Sequence, residues 1–256
     1  MKHLNNETIG TLYIVATPIG NMGDITLRAV ETLRNVDLVV CEDTRVTGSL
    51  LHKLEIKKPM KALHQHSQDE VISELVERLI GGENIAYVTD GGTPGISDPG
   101  QRLVSEIRNI NSRHPEESRD LQNNLEDSSQ NTQNDILIIP IPGASAVAAA
   151  VSVSGMVEKE FYFAGFLPKK KGRQTELKYL ATIKAPIVIY ESAFRIEKTL
   201  NDLKEYFGGD CQVFLAREMT KMFEEYWGGD ITETISSLKT HKIKGEFVLI
   251  IQKLKR

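Results

Sequence analysis

The stretch Val88–Gly100 reads VTDGGTPGISDPG and is the most informative part of the chain. The apolar run Ile85–Val88 leads directly into it, so a buried strand is expected to end in a loop with four glycines and two prolines. Glycine lets a ligand approach the main chain closely. After the loop, Leu103 and Ile107 belong to a helical apolar pattern. A strand, a bare loop and a helix in this order are typical of open α/β sheets, which bind small molecules at the carboxyl ends of their strands.

The bulk composition is that of an ordinary globular protein. The 256 residues are 40% hydrophobic and 26% charged, and this length suits one or two domains. Cys41 and Cys211 stand at the edges of apolar runs, so we expect free buried thiols and a reducing compartment, the cytoplasm. The first residues lack the apolar segment of a signal peptide, and prolines and glycine interrupt the longest apolar tract, so no membrane span is predicted.

Residues 111–135 differ from the rest of the chain. They hold six acidic residues and two arginines, which account for the whole net charge of −4. Asn, Gln and Ser are abundant among the others, so the segment buries too little apolar surface to offset the entropy of ordering. We predict a disordered surface loop between a helix and a strand, an insertion that is tolerated. Two basic clusters contrast with it, Lys169–Arg173 and Lys253–Arg256, and each is either a solvated face or a nucleic-acid contact.

Eight apolar runs have the length and composition of β-strands, and amphipathic helical patterns separate most of them. The runs are Thr11–Ala16, Val36–Cys41, Ile85–Thr89, Ile136–Ile141, Phe161–Leu167, Pro186–Glu191, Gln212–Arg217 and Phe247–Gln252. Asp24 and Ser67 are predicted helix N-caps, and Gly143 is predicted to open a further helix. Alternation of strand and helix in the first half predicts parallel pairing. We therefore predict an α/β protein of two domains, 1–145 and 146–256, with a mostly parallel N-terminal sheet and a mixed C-terminal sheet.

Three loops rich in glycine or proline follow predicted strands: Thr17–Asn21, Asp90–Gly100 and Pro142–Ala146. Because the carboxyl ends of parallel strands lie at one edge of a sheet, we expect the three loops to converge on a single ligand site. Their small, mostly neutral residues suit an adenosine-like ligand better than a triphosphate, which would need a lysine in the loop. The sequence contains neither a dinucleotide-binding nor a Walker A glycine motif. His64 and His66 lack a third ligand at supporting spacing, so no metal site is predicted.

A second group of motifs places charged residues at the ends of three predicted strands. They are Cys41–Arg45 (CEDTR), Tyr190–Arg195 (YESAFR) and Ala216–Lys221 (AREMTK). Each carboxylate beside an arginine could form a structural ion pair, whereas three such sets at strand ends favour a working site.

These motifs occur together, and in the same order, in a known family. With Gly10–Asn21, Pro140–Ala146 and Gly165–Pro168, they make the chain closely resemble the ribosomal RNA methyltransferases of the tetrapyrrole methylase superfamily. The resemblance covers nearly the whole chain. It implies two α/β domains of the tetrapyrrole methylase fold with S-adenosylmethionine in the cleft between them, and a homodimer. It also implies methylation of the ribose 2′-oxygen of a cytidine in the decoding centre of 16S rRNA.

The resemblance assigns cofactor contacts and shows a few departures from the family pattern. The implied contacts are Pro18, Asp90, Gly91, Gly92, Thr93, Ile96, Ser145, Ala146, Tyr190, Glu191 and Gly245. The chain departs from the pattern at Gly91, where alanine is usual, and at Ser67, where asparagine is usual. The acidic segment 111–135 is a further departure.

Methyl transfer is an in-line displacement, in which orientation of the reacting atoms is the largest contribution. A ribose hydroxyl is a poor nucleophile, so a carboxylate or a lysine is expected to take its proton. Candidates for the base, among which the sequence does not decide, are Glu42, Asp43, Glu191 and Glu218. Candidates for binding phosphates or orienting the acids are Arg45, Arg195, Arg217 and Lys221. Expected RNA contacts, with Phe166 as a stacking surface, are Lys169, Lys170, Lys171 and Arg173.

Two other functions stay open: a methyltransferase of the same fold that acts on a tetrapyrrole or corrinoid precursor, and a non-enzymatic nucleotide-binding module. The basic loop and the Cys41–Arg45 motif favour RNA, because a tetrapyrrole pocket has less need of an exposed basic loop. Charged residues at several strand ends favour an enzyme, because a passive sensor needs few of them.

Overall fold

The computed structural model describes residues 9–64, 69–98, 100–112 and 135–254 of the chain. Contacts between these residues divide them into two compact units. Unit 1 lies within Met1–Pro18 and Gly23–Ala144, and unit 2 lies within Ile19–Met22 and Ser145–Arg256. Most of the predicted acidic loop, residues 113–134, lies outside the described residues, as does Ser67, one of the predicted helix caps.

Unit 1 is built on a sheet of five parallel strands. The strands are β1 (Thr11–Val15), β2 (Leu38–Cys41), β3 (Met60–Ala62), β4 (Ile85–Tyr87) and β5 (Leu137–Ile141). They stand in the order β3-β2-β4-β1-β5, and each neighbouring pair is parallel. Every residue of β2 and β4 is buried, because both faces of a parallel sheet are covered. The predicted parallel N-terminal sheet is confirmed.

Helices cover both faces of this sheet. In the described part of unit 1 they are α1 (Leu27–Asn35), α2 (Thr44–Lys53), α3 (Asp69–Ile80) and α4 (Gly100–Ser112). Side chains of α3 and α4 join one core cluster, and side chains of α1 and α2 join another. Successive residues of β2 alternate between the clusters, with Leu38 and Val40 in the first and Val39 and Cys41 in the second. Because helices cover both faces, a ligand site is expected in the loops at the carboxyl ends of the strands.

Unit 2 contains a second five-stranded sheet, which is mixed. Its strands are β6 (Tyr162–Phe166), β7 (Ile187–Ser192), β8 (Cys211–Arg217), β9 (Glu225–Asp230) and β10 (Glu246–Lys253). In the order β6-β7-β10-β8-β9, the pair β6–β7 is parallel and the other pairs are antiparallel. Its helices are α5 (Ala146–Ser154), α6 (Arg173–Leu180), α7 (Ile196–Phe207) and α8 (Ile231–Ser237). The predicted mixed C-terminal sheet is confirmed.

Two strands, β3 and β9, are missing from the sequence prediction. β3 has only three residues with a lysine at its centre, so it lacks the apolar run that marks the other strands. β9 reads EYWGGD, and its two glycines are typical of a turn. In the structure a Cβ on Gly228 would lie 2.1 Å from the carbonyl oxygen of Val213 on β8. The glycine is therefore there because two strands approach closely, which the sequence alone does not reveal.

The start of α1 and the end of α4 also differ from the prediction. Asp24 ends a short 3-10 turn, and Thr26 caps α1 instead, its hydroxyl accepting a hydrogen bond from the Ala29 N–H at 3.0 Å. Asn111, predicted to lie in the acidic loop, belongs to the last turn of α4. Its side chain donates to the Ile136 carbonyl at 3.0 Å and accepts from the Ile136 N–H at 3.2 Å. These bonds join the end of α4 to the residue that precedes β5.

The described residues can also be examined for disulfides, membrane spans and metal-binding groups. Cys41 and Cys211 are both buried and free, as their position in apolar runs indicates. None of the helices in the described ranges combines the length and hydrophobicity that a membrane span needs. The same residues contain no group of three or more His, Cys, Asp or Glu side chains arranged to hold a metal ion.

Candidate active site

The loops after β4, β1 and β5 meet at the carboxyl edge of the unit 1 sheet, where these strands are neighbours. Thr17, after β1, exchanges two backbone hydrogen bonds of 3.0 Å with Gly92, in the loop after β4. The Thr93 hydroxyl donates to the Ala144 carbonyl, after β5, at 2.9 Å. The parts of the three loops that belong to unit 1 therefore form one contiguous surface.

Two adjacent glycines in the loop after β4 differ in backbone conformation. Gly92 has a φ of 94°, in the left-handed region that favours glycine, and it makes the backbone bridge to Thr17. Gly91 is exposed and does not have a positive φ, so a side chain is compatible with its backbone. The departure from the family pattern at Gly91 thus imposes no strain.

At this edge Asp90 and Asp98 lie close enough to Glu42 for their charges to act on it. Burial first, and then the negative charges of Asp90 and Asp98, raise the pKa of Glu42 from 4.5 to about 7. Asp98 accepts a hydrogen bond from the Tyr87 hydroxyl at 3.1 Å, which fixes one of the two neighbouring charges. The edge therefore carries a negative potential that favours a cationic ligand, and a carboxyl group that exchanges its proton near neutral pH.

Asp43 stands beside Glu42 but in a different environment. It is the N-cap of α2, its Oδ1 accepting a hydrogen bond from the Arg45 N–H at 2.8 Å. The exposed Arg45 guanidinium also pairs with Oδ2 at 2.6 Å. Hydrogen bonds from the side chain and backbone of Arg45 lower the pKa of Asp43 to about 2. A carboxylate with so low a pKa is a weak base, so the structure gives this pair a role at the start of α2 rather than in proton transfer.

In unit 2, Ser145 and Ala146 stand at the start of α5, next to Tyr190 of β7. Ser145 occupies the N-cap position, but its side chain makes no capping hydrogen bond. The Tyr190 hydroxyl instead accepts a hydrogen bond from the Val147 N–H at 3.0 Å. Burial raises the pKa of Tyr190, and the Val147 hydrogen bond only partly opposes it. The Tyr190 ring also packs edge-to-face with Phe166, their centroids 5.5 Å apart.

Lys221 is held between two carboxylates of unit 2. Its Nζ donates to Glu218 Oε1 at 2.8 Å and to Glu246 Oε2 at 3.0 Å. Burial would lower the pKa of Lys221, but these two hydrogen bonds raise it overall, so the amine stays protonated and is unsuited to act as a base. Burial would raise the pKa of Glu218, but its bond with Lys221 lowers it overall. Gly245, with a φ of 88°, lies against this pair, and a Cβ there would come within 2.3 Å of the Glu218 carboxyl carbon.

Arg217 is buried, and its charge is matched inside unit 2. Its Nε donates to Glu225 Oε2 at 3.0 Å, and Glu225 Oε1 lies 2.7 Å from His241 Nδ1. The His241 hydrogen bond and then that of Arg217 lower the pKa of Glu225, although burial opposes them. Trp227 stacks on the His241 ring with centroids 4.2 Å apart. The Arg217 guanidinium therefore joins β8 to β9, and its role in binding phosphate or orienting an acid stays a prediction.

Glu191, Arg195 and Arg173 form a second internal cluster of unit 2. Glu191 is 2% exposed and its Oε1 lies 3.3 Å from Arg195 Nε. Arg173 is 6% exposed and pairs with Asp202 at 2.8 Å. Both side chains are buried in unit 2, so the base or cofactor contact predicted for Glu191 and the RNA contact predicted for Arg173 stay predictions. Arg195 pairs with Glu191, in keeping with the alternative that it orients an acid. The three lysines at 169–171 are exposed, as an RNA contact requires.

Several residues that shape these environments were not among the predicted site residues. Asp98 and Tyr87 adjoin the glycine loop, but nothing in their spacing indicates that they face Glu42. Thr199 and Asp202 are three residues apart on α7, so their polar character on one helix face is the only signal they give. Each was missed because its partner is distant in the sequence.

Comparison with known proteins agrees with this organisation. The sequence model of the family described as Tetrapyrrole (Corrin/Porphyrin) Methylases matches residues 11–113 and 127–234. A protein named ribosomal RNA small subunit methyltransferase I, from Synechocystis sp., is 42% identical over 244 residues, which are 95% of this chain and 79% of that protein. The protein of the same name from Bacillus subtilis is 36% identical over 253 residues, 98% of this chain and 78% of that protein.

Solved structures share the fold at low sequence identity. Cobalt precorrin-4 methyltransferase matches with a TM-score of 0.63 at 16% identity, over 94% of each chain. Uroporphyrin-III C-methyltransferase from Thermus thermophilus, complexed with S-adenosyl homocysteine, has a TM-score of 0.61 at 14% identity, over 95% of this chain and 97% of that one. The chain belongs to the tetrapyrrole methylase family and is a methyltransferase. Its relatives from Synechocystis and Bacillus subtilis carry the name of a methyltransferase for small-subunit ribosomal RNA.

Proposed function

We propose that the chain uses S-adenosylmethionine to methylate the ribose 2′-oxygen of a cytidine in the decoding centre of 16S rRNA, acting as a cytoplasmic homodimer. The observation that carries this proposal is the similarity, along almost the whole chain, to ribosomal RNA small subunit methyltransferase I at 42% and 36% identity. The tetrapyrrole methylases of known structure are only 16% and 14% identical. They support the fold, and they do not favour a tetrapyrrole as the substrate.

The residues of the glycine loops fit S-adenosylmethionine, which when bound supplies a methyl group on a sulfonium cation. Gly91 is exposed, and a Cβ on Gly95 would meet nothing within 4 Å, so the main chain there is open to a ligand. The carboxylates beside this loop favour a cation. The cofactor contacts we propose are Pro18, Asp90, Gly91, Gly92, Thr93 and Ile96 of unit 1, and Ser145, Ala146, Tyr190 and Gly245 of unit 2.

Glu42 is the general base in this proposal. Of the four carboxylates that the sequence leaves open, Glu191 is buried, Asp43 has a pKa near 2, and Glu218 is bound by a lysine. The pKa of Glu42 is raised to about 7. At neutral pH a large fraction of it is ionised, and the carboxylate is basic enough to take the ribose proton as the new bond forms.

Lys169, Lys170 and Lys171 are the proposed phosphate contacts. Phe166, exposed beside this loop, and Phe194, fully exposed after β7, offer flat surfaces on which unpaired bases can stack. Replacing the three lysines by glutamine should weaken RNA binding. It should also flatten the slope of log Kd against log salt concentration by about 2–3, because each phosphate contact releases counterions.

Transfer of a labelled methyl group from S-adenosylmethionine tests the proposal directly. The acceptors are small ribosomal subunits from a strain that lacks this enzyme, protein-free 16S rRNA and uroporphyrinogen III. We expect label in the RNA. A 2′-O-methyl group blocks alkaline cleavage of the neighbouring phosphodiester, so the label should be recovered in an alkali-resistant dinucleotide that begins with cytidine.

Subunits that already carry the modification serve as the matched control, since they should accept no label. Label that appears only in the tetrapyrrole would favour the small-molecule alternative. Label that appears in a base rather than in the ribose would contradict the chemistry proposed here. Sedimentation of the purified chain measures whether it is a dimer.

A further inference from the structure

Two arginine side chains bind the main chain where the basic loop of unit 2, residues 168–172, begins, one at Pro168 and one at the preceding Leu167. Arg195 Nη2 donates a hydrogen bond to the Leu167 carbonyl at 2.7 Å. Arg173 Nη1 donates to the next carbonyl, that of Pro168, at 3.3 Å. The Arg173 N–H also donates to the Lys170 carbonyl at 3.2 Å, which closes the loop at its other end. The main chain that carries the exposed lysines is therefore held by hydrogen bonds at both ends of the loop.

Both arginines are tied to one another through helix α7. Arg173 Nη2 donates to the Thr199 hydroxyl and its Nε to Asp202, each at 2.8 Å. The Thr199 hydroxyl in turn donates to Glu191 Oε2 at 2.7 Å. Glu191 Oε1 lies 3.3 Å from Arg195 Nε, which completes the connection. Thr199 is 0% exposed and accepts one hydrogen bond while donating another, so it is the central member.

The charges in this cluster balance. It contains two arginines and two carboxylates, and burial shields their hydrogen bonds from water. The planar guanidinium suits such an arrangement because its donors have a fixed geometry that can reach carboxylate, hydroxyl and carbonyl together. The cluster consequently adds no net positive charge to the surface on which the lysines stand.

We infer that Arg173, Thr199, Asp202, Glu191 and Arg195 are positioning residues that hold the lysine loop in the conformation that binds RNA. This loop anchor, as we name the five residues, gives a positioning role to three residues for which the sequence suggests others. Those are a base or cofactor contact for Glu191, binding phosphate or orienting acids for Arg195, and an RNA contact for Arg173. A loop already in its bound conformation loses less entropy when RNA binds. The inference rests on the proposed function, because the ligand it serves is the ribosomal RNA.

Thr199→Val is the central test, because valine has nearly the same shape but makes neither hydrogen bond. We expect Kd and KM for the small subunit to rise about three- to tenfold through lost pre-organisation. At saturating RNA, kcat should equal that of the wild type, and the affinity for S-adenosylmethionine should be unchanged. The slope of log Kd against log salt should also be unchanged, whereas glutamine at the three lysines flattens it.

Two further variants guard against an effect of folding alone. Thr234→Val replaces another buried threonine of unit 2, whose hydroxyl has no hydrogen-bond partner, and should leave RNA affinity unaltered. Arg173→Lys keeps the charge but loses the branched donor geometry, so it should weaken RNA binding in the same way as Thr199→Val. If Thr199→Val does not fold, Arg173→Lys carries the test. Hydrogen exchange of residues 166–172 should be faster in both anchor variants than in the wild type.

Each outcome decides between distinct conclusions. Wild-type RNA affinity in a folded Thr199→Val variant would overturn the inference and leave the proposed function intact. A fall in kcat without a change in KM would also overturn it, and would return a catalytic role to Glu191. Failure of the wild-type chain to bind or methylate RNA would overturn the proposed function, and the RNA-binding role of the anchor with it.

Discussion

Glu42→Gln should stabilise the fold at alkaline pH while it removes activity. The reason is the raised pKa of Glu42, which burial and then the charges of Asp90 and Asp98 move from 4.5 to about 7. A group whose pKa is higher in the folded state favours folding while it is protonated. That contribution is complete below pH 4.5 and is lost as the pH rises through 7. Glutamine has no proton to lose, so the variant escapes this penalty.

The size of the effect follows from the shift. At 1.36 kcal/mol for each pH unit, the full shift corresponds to at most about 3 kcal/mol. Glu42 is only partly buried, so screening by solvent reduces the penalty to about 1–2 kcal/mol. We expect Glu42→Gln and the wild type to unfold at the same urea concentration at pH 4.5. At pH 8.5 the variant should have the higher free energy of unfolding by this amount.

Glu74→Gln is the control of opposite sign. A hydrogen bond from Lys61 lowers the pKa of Glu74, so Glu74 contributes stability above its unfolded pKa, and the glutamine variant should lose stability at pH 8.5. The stability reasoning fails if Glu42→Gln is less stable than the wild type at pH 8.5, or if the difference between them does not depend on pH.

Kinetics of the same variant test the role of Glu42 separately. Loss of the base should reduce kcat roughly 100- to 10,000-fold, with cofactor affinity little changed. The wild-type kcat/KM, which reports the free enzyme, should rise with pH around an apparent pKa near 7, and the remaining activity of the variant should lack this step. Full turnover by Glu42→Gln would exclude it as the base, whatever its effect on stability.

Three further predictions concern the backbone and the helix ends. In urea denaturation, Gly91→Ala should stabilise the fold by about 0.4–1 kcal/mol, since the backbone there is compatible with a side chain. Gly92→Ala should destabilise the fold by about 1–3 kcal/mol, because Gly92 has a positive φ. A variant with a linker of about four residues in place of 113–134 should keep its methyl transfer activity and melting temperature, because hydrogen bonds already join the residues on either side. Loss of methyl transfer by a folded deletion variant would show that the segment is needed for activity. Tyr190→Phe should lower the free energy of unfolding by about 0.5–2 kcal/mol through loss of the Val147–Tyr190 hydrogen bond at the start of α5, while Ser145→Ala should have little effect because the serine side chain makes no capping hydrogen bond. Equal losses of stability in the two variants would contradict the capping role of Tyr190.

Local sequence patterns predicted the two sheets and the loop convergence because those features depend on neighbouring residues. The buried runs of β2 and β4 and the glycines after β4 are visible as composition over short windows. Parallel pairing follows from helices between the strands. The strands β3 and β9 were missed because their pairing with β2 and β8 supplies what their own residues lack.

The roles of the charged residues were harder to predict, because the motif shows a carboxylate but not its environment. Glu42 and Asp43 are adjacent in the sequence, yet their pKa values are raised to about 7 and lowered to about 2. The difference comes from burial and then the charges of Asp90 and Asp98 on one side, and from the Arg45 hydrogen bonds on the other. Glu191 has the same appearance in its motif, but Thr199 and Arg195 bind it inside unit 2.

The number of basic residues in the motifs overstates how many of them are free to bind the phosphates of the proposed RNA substrate. Arg173 is a predicted RNA contact, Arg195 and Arg217 are candidates for binding phosphate or orienting acids, and each of the three is paired with a carboxylate in the structure. The lysines at 169–171 are exposed, and the Arg173 side chain donates a hydrogen bond to the carbonyl of Pro168, the residue before them. If the three lysines are the main phosphate contacts, affinity for the proposed RNA substrate should be sensitive to salt, and the shape of the ribosomal site should contribute to the choice of the proposed cytidine.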